Sequence, residues 1–207
     1  MFATTFKQLL GRAALALSLA LSANAAMADV MLTVKVNTAS FGPDGYLDFQ
    51  FNGAGMGEPV ATATMSQLNG FDMSQFSPMG DVTQIGNDFK FVNTAGLNDL
   101  LYAATFGGMF SLNLTFAGDA IDTATSRFSV QAFDSLGNGV GGIADGLLLT
   151  LDWTKIDPTA AAGVVANVLD DSASVADAPS AAVPEPSSIA MAMLGLGMLG
   201  FVRRKRA

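Results

Sequence analysis

Apolar and polar residues alternate in short runs through the middle of this chain. Leu32-Thr33-Val34-Lys35-Val36 is one such run, and Tyr46–Phe51 places Leu47, Phe49 and Phe51 on a common face. Phe110–Phe116 is the cleanest case, with Phe110, Leu112, Leu114 and Phe116 on one side and Ser111, Asn113 and Thr115 on the other. Val60–Leu68, Phe89–Phe91, Phe128–Gln131 and Leu147–Asp152 continue the pattern. A period of two puts successive side chains on opposite faces, which is the signature of antiparallel sheets with one wet face. Glycine-rich breaks at Gly53–Gly57, Gly107-Gly108, Gly118-Asp119 and Gly137–Gly142 separate the runs. Asn98–Ala104 fits a short helix or a further strand. Seven to nine short strands without a strong helix predict an all-β domain, an antiparallel β-sandwich of jelly-roll type.

The two ends break this pattern. At the N-terminus a basic stretch ending at Arg12 precedes the apolar run Ala13–Leu21, and small residues follow from Ser22 to Ala28. These are the three parts of a secretory signal peptide over residues 1–28, with signal peptidase as its processing partner. Ala-x-Ala occurs at 23–25 and again at 26–28, so cleavage after Ala25 or after Ala28 satisfies the pattern. The predicted β-sandwich domain then occupies 29–158. From 159 to 182 the composition shifts to Ala, Val, Ser and Asp, which reads as a flexible linker with room for a transient helix over Ala160–Leu169.

Residues 183–207 form a tail with three distinct pieces. Pro184-Glu185-Pro186 is held extended by its prolines. Ile189–Val202 is 14 residues of unbroken apolar character, or about 21 Å as a helix at about 1.5 Å per residue. A hydrocarbon core of about 30 Å therefore requires help from Ser187 and Ser188, from snorkelling arginines or from local thinning. This predicts a single C-terminal transmembrane helix over 187–202. The basic cluster Arg203, Arg204, Lys205 and Arg206 would stay on the cytoplasmic side of the inner membrane, leaving the domain outside.

This Pro-Glu-Pro motif, glycine-interrupted apolar run and basic end together resemble the PEP-CTERM sorting signal of Gram-negative bacteria. The resemblance covers about 12% of the chain, 25 of 207 residues. It implies that an exosortase recognises the Pro184–Pro186 segment, cleaves near it and releases the body towards the cell surface. It also implies an association with exopolysaccharide and biofilm matrix. Gly42–Asn52 more loosely resembles an opening hairpin found in a subgroup of such proteins.

Charge and composition narrow what the body can do. Between residues 29 and 182 there are four basic and 17 acidic side chains, a formal net charge of 4 − 17 = −13. A surface this acidic repels phosphate backbones, so nucleic acid is excluded as a partner. The chain has no Cys and no His, which removes disulfides, Ser-His-Asp and Cys-His nucleophiles, and zinc sites of the usual type. Acidic pairs abound, yet none is placed across a cleft by the pattern, and the reading is of a non-enzymatic protein. Trp153 and two Tyr are few for a sugar-stacking platform, and most of the 15 Phe fall on apolar faces.

Asp48 lies on the polar side of its strand, where a solvated sheet surface is the expectation. Asp119 and Asp122 form one acidic turn and Asp134–Gly139 another. Asp134 and Asn138, four apart, are the candidate calcium ligands, since calcium takes oxygen donors from flexible loops. Asp, Asn and Gly are also ordinary turn formers, and neither turn has the spacing of a helix–loop–helix calcium site. No other cofactor is expected. The leading function is an exported surface or matrix protein, and the alternative is a carbohydrate-binding module of the cell envelope.

Overall fold

The structure, a computed structural model, describes residues 29–53, 55, 59–120, 124–142, 144–155 and 162–178. The predicted signal peptide and the whole tail, including Pro184–Pro186 and Arg203–Arg206, lie outside the described residues. So does Asp122. No helix among the described residues is long and apolar enough to cross a membrane.

Among the described residues there are twelve strands: β1 (Val30–Asn37), β2 (Asp44–Asn52), β3 (Ala61–Asn69), β4 (Phe76–Met79), β5 (Val82–Ile85) and β6 (Asp88–Val92), then β7 (Asp99–Thr105), β8 (Met109–Gly118), β9 (Ser126–Asp134), β10 (Leu147–Thr154), β11 (Gly163–Val168) and β12 (Ala173–Asp177). One 3-10 turn, Ala144–Gly146, precedes β10. Two six-stranded sheets result. The first, sheet A, has the order β12-β1-β8-β3-β6-β5, and the second, sheet B, β11-β10-β9-β2-β7-β4.

The order has a simple logic. β1 pairs with β8, β2 with β7 and β3 with β6, all antiparallel. The first half of the chain is thus folded back on the second as one long nested hairpin. Its successive pairs fall alternately into sheets A and B. β9, β10 and β11 extend sheet B beyond this nest. Consecutive strands β1 and β2 therefore sit in different sheets, and the hairpin suggested for Gly42–Asn52 is instead a turn entering a central strand.

The strongly alternating runs all became strands, and Asn98–Ala104 resolved as strand. β4 and β5 escaped the pattern because both are short and largely exposed, with no apolar face to read. β4 even contains Pro78, which an edge strand tolerates because its missing N–H costs no ladder bond there. The segment expected to be a linker departs furthest from expectation. Over 163–168 it forms β11, whose residues pair with Thr154–Leu149 of β10, and over 173–177 it forms β12 beside β1. Backbone pairing, not an apolar stripe, holds these residues, since β11 exposes four of its six side chains.

The inner faces of the two sheets share one core. Phe116 of sheet A is its hub: its ring lies 5.8 Å from Trp153 and nearly parallel to it, 5.9 Å from Phe51 and 6.3 Å from Phe128, all in sheet B. Such offset and edge-on ring pairs contribute beyond the area they bury. Trp153 is 2% exposed, and its indole N–H donates to the Asp119 carbonyl at 3.2 Å. It is a core residue, unavailable as a sugar platform.

Candidate functional site

Two places on sheet B bring polar chemistry together. The first is an open groove of about 610 Å³ at the end of the sheet where β2 begins and β7 finishes. Tyr46 and Phe71 contribute aromatic surface to it, and Asp44, Asp72, Gln75 and Ser135 contribute oxygen and amide groups. The other tyrosine, Tyr102, also lines it, although it is only 3% exposed. Its ring packs against Phe71 at 5.0 Å and Phe76 at 4.7 Å, and its hydroxyl oxygen accepts the backbone N–H of Asp72 at 2.9 Å. That bond fixes the Asp72 turn over the groove. The Ser74 backbone N–H and hydroxyl both donate to Asp72 Oδ1, and the backbone bond leads in holding this carboxyl below its ordinary range. Asp72 is therefore ionised and aimed by its own turn.

Gly45 lets the groove floor form. Any Cβ there would stand 2.0 Å from the Phe133 carbonyl and 2.5 Å from the Phe106 ring. The strand crosses its neighbours closely only because this side chain is absent.

The second place is on the outward face of β2, next along from Tyr46. Asp48 sits there, but not as the solvated residue its alternation suggested: it is only 5% exposed. The correction has a physical reason. β2 is central in sheet B, so Asp48 is walled by its neighbours Leu101 on β7 and Gln131 on β9 as well as by Tyr46 and Gln50 on its own strand.

A directed chain of hydrogen bonds ends at Asp48. The Asn98 backbone N–H donates to Asn52 Oδ1 at 2.7 Å, which leaves Asn52 Nδ2 to donate to Gln50 Oε1 at 3.3 Å. Gln50 Nε2 must then donate in turn, and it does so to Asp48 Oδ2 at 2.7 Å. Because a backbone N–H starts the series, the orientation of both amides is fixed by donor–acceptor logic. Asp48 Oδ1 and Asp99 Oδ1 are left buried without a hydrogen-bond donor. Burial pushes the Asp48 carboxyl up to about 8; the Asp99 carboxyl beside it adds to the rise, and the Gln50 amide opposes it.

Asn98 is a residue that alternation could not single out. It is fully buried where the chain enters β7. Its Nδ2 donates to the carbonyls of Phe51 at 3.0 Å and Ala95 at 3.3 Å, and its Oδ1 accepts the Asp81 N–H at 2.8 Å. The only advance signal was an Asn directly before an apolar run, a common turn feature.

The proposed calcium ligands are brought together, though by each other. Asp134 Oδ1 accepts the backbone N–H groups of Leu136 and Asn138, each at 2.9 Å, while Oδ2 accepts Asn138 Nδ2 at 2.9 Å. The Asn138 side chain leads in lowering the Asp134 carboxyl. Asn138 presents its amide nitrogen, not its oxygen, to the carboxylate, so the pair as it stands closes a turn. Among the described residues no group of three or more acidic side chains is placed to hold a metal. Arg127 and Asp152 meet on the same sheet face in a two-pronged ion pair, Nε to Oδ1 at 2.7 Å and Nη2 to Oδ2 at 3.0 Å.

The tail is settled by comparison with known families: the sequence model of the PEP-CTERM protein-sorting motif matches residues 182–206. The chain carries a PEP-CTERM sorting motif. The match spans Pro184, Glu185 and Pro186 as well as the basic cluster Arg203–Arg206, the residues that carried the resemblance. A PEP-CTERM motif implies exosortase-dependent sorting of an exported protein, with transient membrane anchoring before processing to the cell surface. No curated protein and no solved structure matches the chain.

Proposed function

We propose that this PEP-CTERM protein is a non-enzymatic surface or extracellular-matrix protein that associates with exopolysaccharide once its tail has been processed. The observation that carries the proposal is the sorting motif at 182–206 joined to a rigid β-body with no Cys or His. Signal peptidase would act at its N-terminus and exosortase at its C-terminus, in the envelope of a Gram-negative cell. The acid pair it does contain, Asp48 and Asp99, is embedded in a sheet face and not set across a cleft, as carboxylate catalysis requires.

The test acts on the tail in the native host. Changing Pro184, Glu185 and Pro186 together to Ala is expected to leave the protein at its unprocessed size and in the membrane fraction. Unchanged size and unchanged release would refute the sorting reading.

The groove favours a second, narrower reading, a carbohydrate-binding module of the envelope. Carboxylates and an amide around aromatic surface suit the hydroxyls and apolar faces of a sugar ring, and a double-layered β fold is a frequent scaffold for such sites, though fold alone assigns none. Tyr46→Ala and Asp72→Ala are each expected to lower retention on the host's own exopolysaccharide at least several-fold. Equal retention of wild type and both variants would remove the groove from the account while leaving the sorting reading intact.

A further inference from the structure

We propose that Asp48 and Asp99 share a single proton across strands β2 and β7, and that its loss is a built-in switch loosening β7 and the groove wall it carries. The register places Gln50 opposite Asp99 and Asp48 opposite Leu101. The two acids are therefore diagonal neighbours on one sheet face, within reach of each other's side chains. Asp48 Oδ2 already accepts the Gln50 amide, and the orientation of that amide is fixed back to a backbone N–H. The unsatisfied atoms are Asp48 Oδ1 and Asp99 Oδ1. Two buried carboxylates on neighbouring strands, each with an oxygen lacking a donor, repel each other unless they share a proton, as in carboxyl dyads.

No cation among the described residues is positioned to do the proton's work. From β9, Gln131 stands opposite Asp48 and Ser129 opposite Gln50. From β4, Ser77 stands opposite Leu101 and Met79 opposite Asp99. The nearest basic residue on this face is Arg127, opposite Asn52 and committed to Asp152. When base removes the shared proton, two negative charges remain on adjacent strands with no counter-charge between them. The strain falls on β7, which on its other side has the four-residue edge strand β4 and one further backbone bond, from the Ala103 N–H to the Gln75 carbonyl at 3.1 Å. β7 also supplies Ala103, Ala104 and Thr105 to the groove. Alkaline conditions would thus loosen the groove through its floor.

The experiment uses the full-length protein in detergent micelles. An infrared band of a protonated carboxyl should persist at pH 7, where ordinary Asp side chains are ionised, and should disappear between pH 7 and 9. It should be absent at pH 7 from Asp48→Asn, whose amide can donate to Asp99 in the proton's place. It should also be absent from Asp99→Asn, whose amide donates to an ionised Asp48. Amide hydrogen exchange, corrected for its intrinsic pH dependence, should show β7 and β4 losing protection at least tenfold across that transition in wild type and in neither variant. A band that survives in both variants, or equal protection in all three proteins above pH 9, overturns the proposal. So does a wild type with no band at pH 7 that calcium protects, since a cation would then hold the pair. These readouts do not depend on polysaccharide, so the proposal can fail while the groove reading stands.

Discussion

Asn113 and Asp48 occupy equivalent positions in the two sheets, and the structure treats them in opposite ways. Each is a polar residue on the outer face of an inner strand, and each is nearly buried by its neighbours. In sheet A, Asn113 Oδ1 accepts the Thr33 hydroxyl at 2.9 Å and its Nδ2 donates to Gln67 Oε1 at 3.0 Å. An amide carries both donor and acceptor, so a ladder of neutral groups can satisfy it. In sheet B the same place holds a carboxyl, which when ionised can only accept. Its diagonal neighbour on β7 is a second carboxyl. The Asn113 position is therefore indifferent to pH and the Asp48 position is tied to it, although their backbones are alike.

The largest expected effect tests whether the difference is confined to the outer faces. Phe116 joins both sheets through Trp153, Phe51 and Phe128. Phe116→Ala should cost about 3–5 kcal/mol, as deletion of a buried ring in a tight core does. Far-UV and near-UV signals should still be lost in a single denaturant transition, since the core belongs to both sheets. Two separated transitions would mean that the sheets are independent and that the comparison extends to their interior.

Asn98→Ala comes next and is specific to sheet B. It removes two donated bonds and one accepted bond from a buried amide, leaving the Phe51 carbonyl and the Asp81 N–H without that partner. About 1–3 kcal/mol is expected for each buried group left unsatisfied, so for the two groups a loss of about 2–6 kcal/mol in denaturant unfolding is predicted. Thr33→Val in sheet A, which removes one donor to Asn113, should cost about 1 kcal/mol. A larger loss for Thr33→Val than for Asn98→Ala would reverse the ranking of the two faces.

How far the sequence foretold these two faces depends on what alternation encodes. It located β2 and β8 nearly to the residue, because large apolar side chains recur at every second position there. It could not distinguish Asn113 from Asp48, since both are simply polar in such a pattern. Burial of an outward residue depends on which strands flank it, and that is a property of topology. β11 and β12 were missed for a related reason: they are held by backbone pairing at the sheet edges, so their Ala, Val and Asp residues carry no periodic stripe. The groove was equally hidden, because Tyr46, Phe71 and Gln75 meet only after β2 and β7 have paired. The sorting motif was legible, since a linear motif is read as sequence and needs no fold to assemble it.

The pH dependence of stability separates the faces more finely. The Asp48 carboxyl is raised from 3.8 in the free side chain to about 8 in the fold, so the native state holds a proton that the unfolded chain releases. Its contribution is fully present below about pH 4 and is lost as pH rises through about 8. Asp72, Asp134 and Asp170 are lowered by their turn hydrogen bonds, with the backbone N–H of Ser74 and the side chains of Asn138 and Ser172 leading respectively. Their contributions have the opposite sign: present above the ordinary carboxylate range and lost as pH falls below it. Wild type should therefore be most stable near pH 4–5 and decline towards pH 9. Asp48→Asn should flatten only the alkaline limb, gaining about 1–3 kcal/mol at pH 9, the scale of relieving one unsatisfied buried group. A variant that declines as steeply as wild type would place the alkaline sensitivity elsewhere.

The smallest effect should come from the charge pair on the same face. Arg127 and Asp152 have good two-pronged geometry, yet the arginine side chain is 58% exposed. Water already solvates that guanidinium, and ordering it offsets much of the Coulomb gain. Arg127→Ala should cost under about 1 kcal/mol by denaturant midpoint, and added salt should shrink the difference further. Its value lies in the contrast with Asp48 on the adjacent strand β2, where Asn52 is the residue opposite Arg127. If sheet B were sensitive because it is charged, removing its cation would matter as much as neutralising Asp48. If it is sensitive because one carboxyl is walled in beside another, Arg127→Ala should leave the alkaline limb where wild type has it. A steeper limb in this variant would show that Arg127 reaches the pair through the field across Ser129 and Gln50, and that the outer face of sheet B acts as one electrostatic unit.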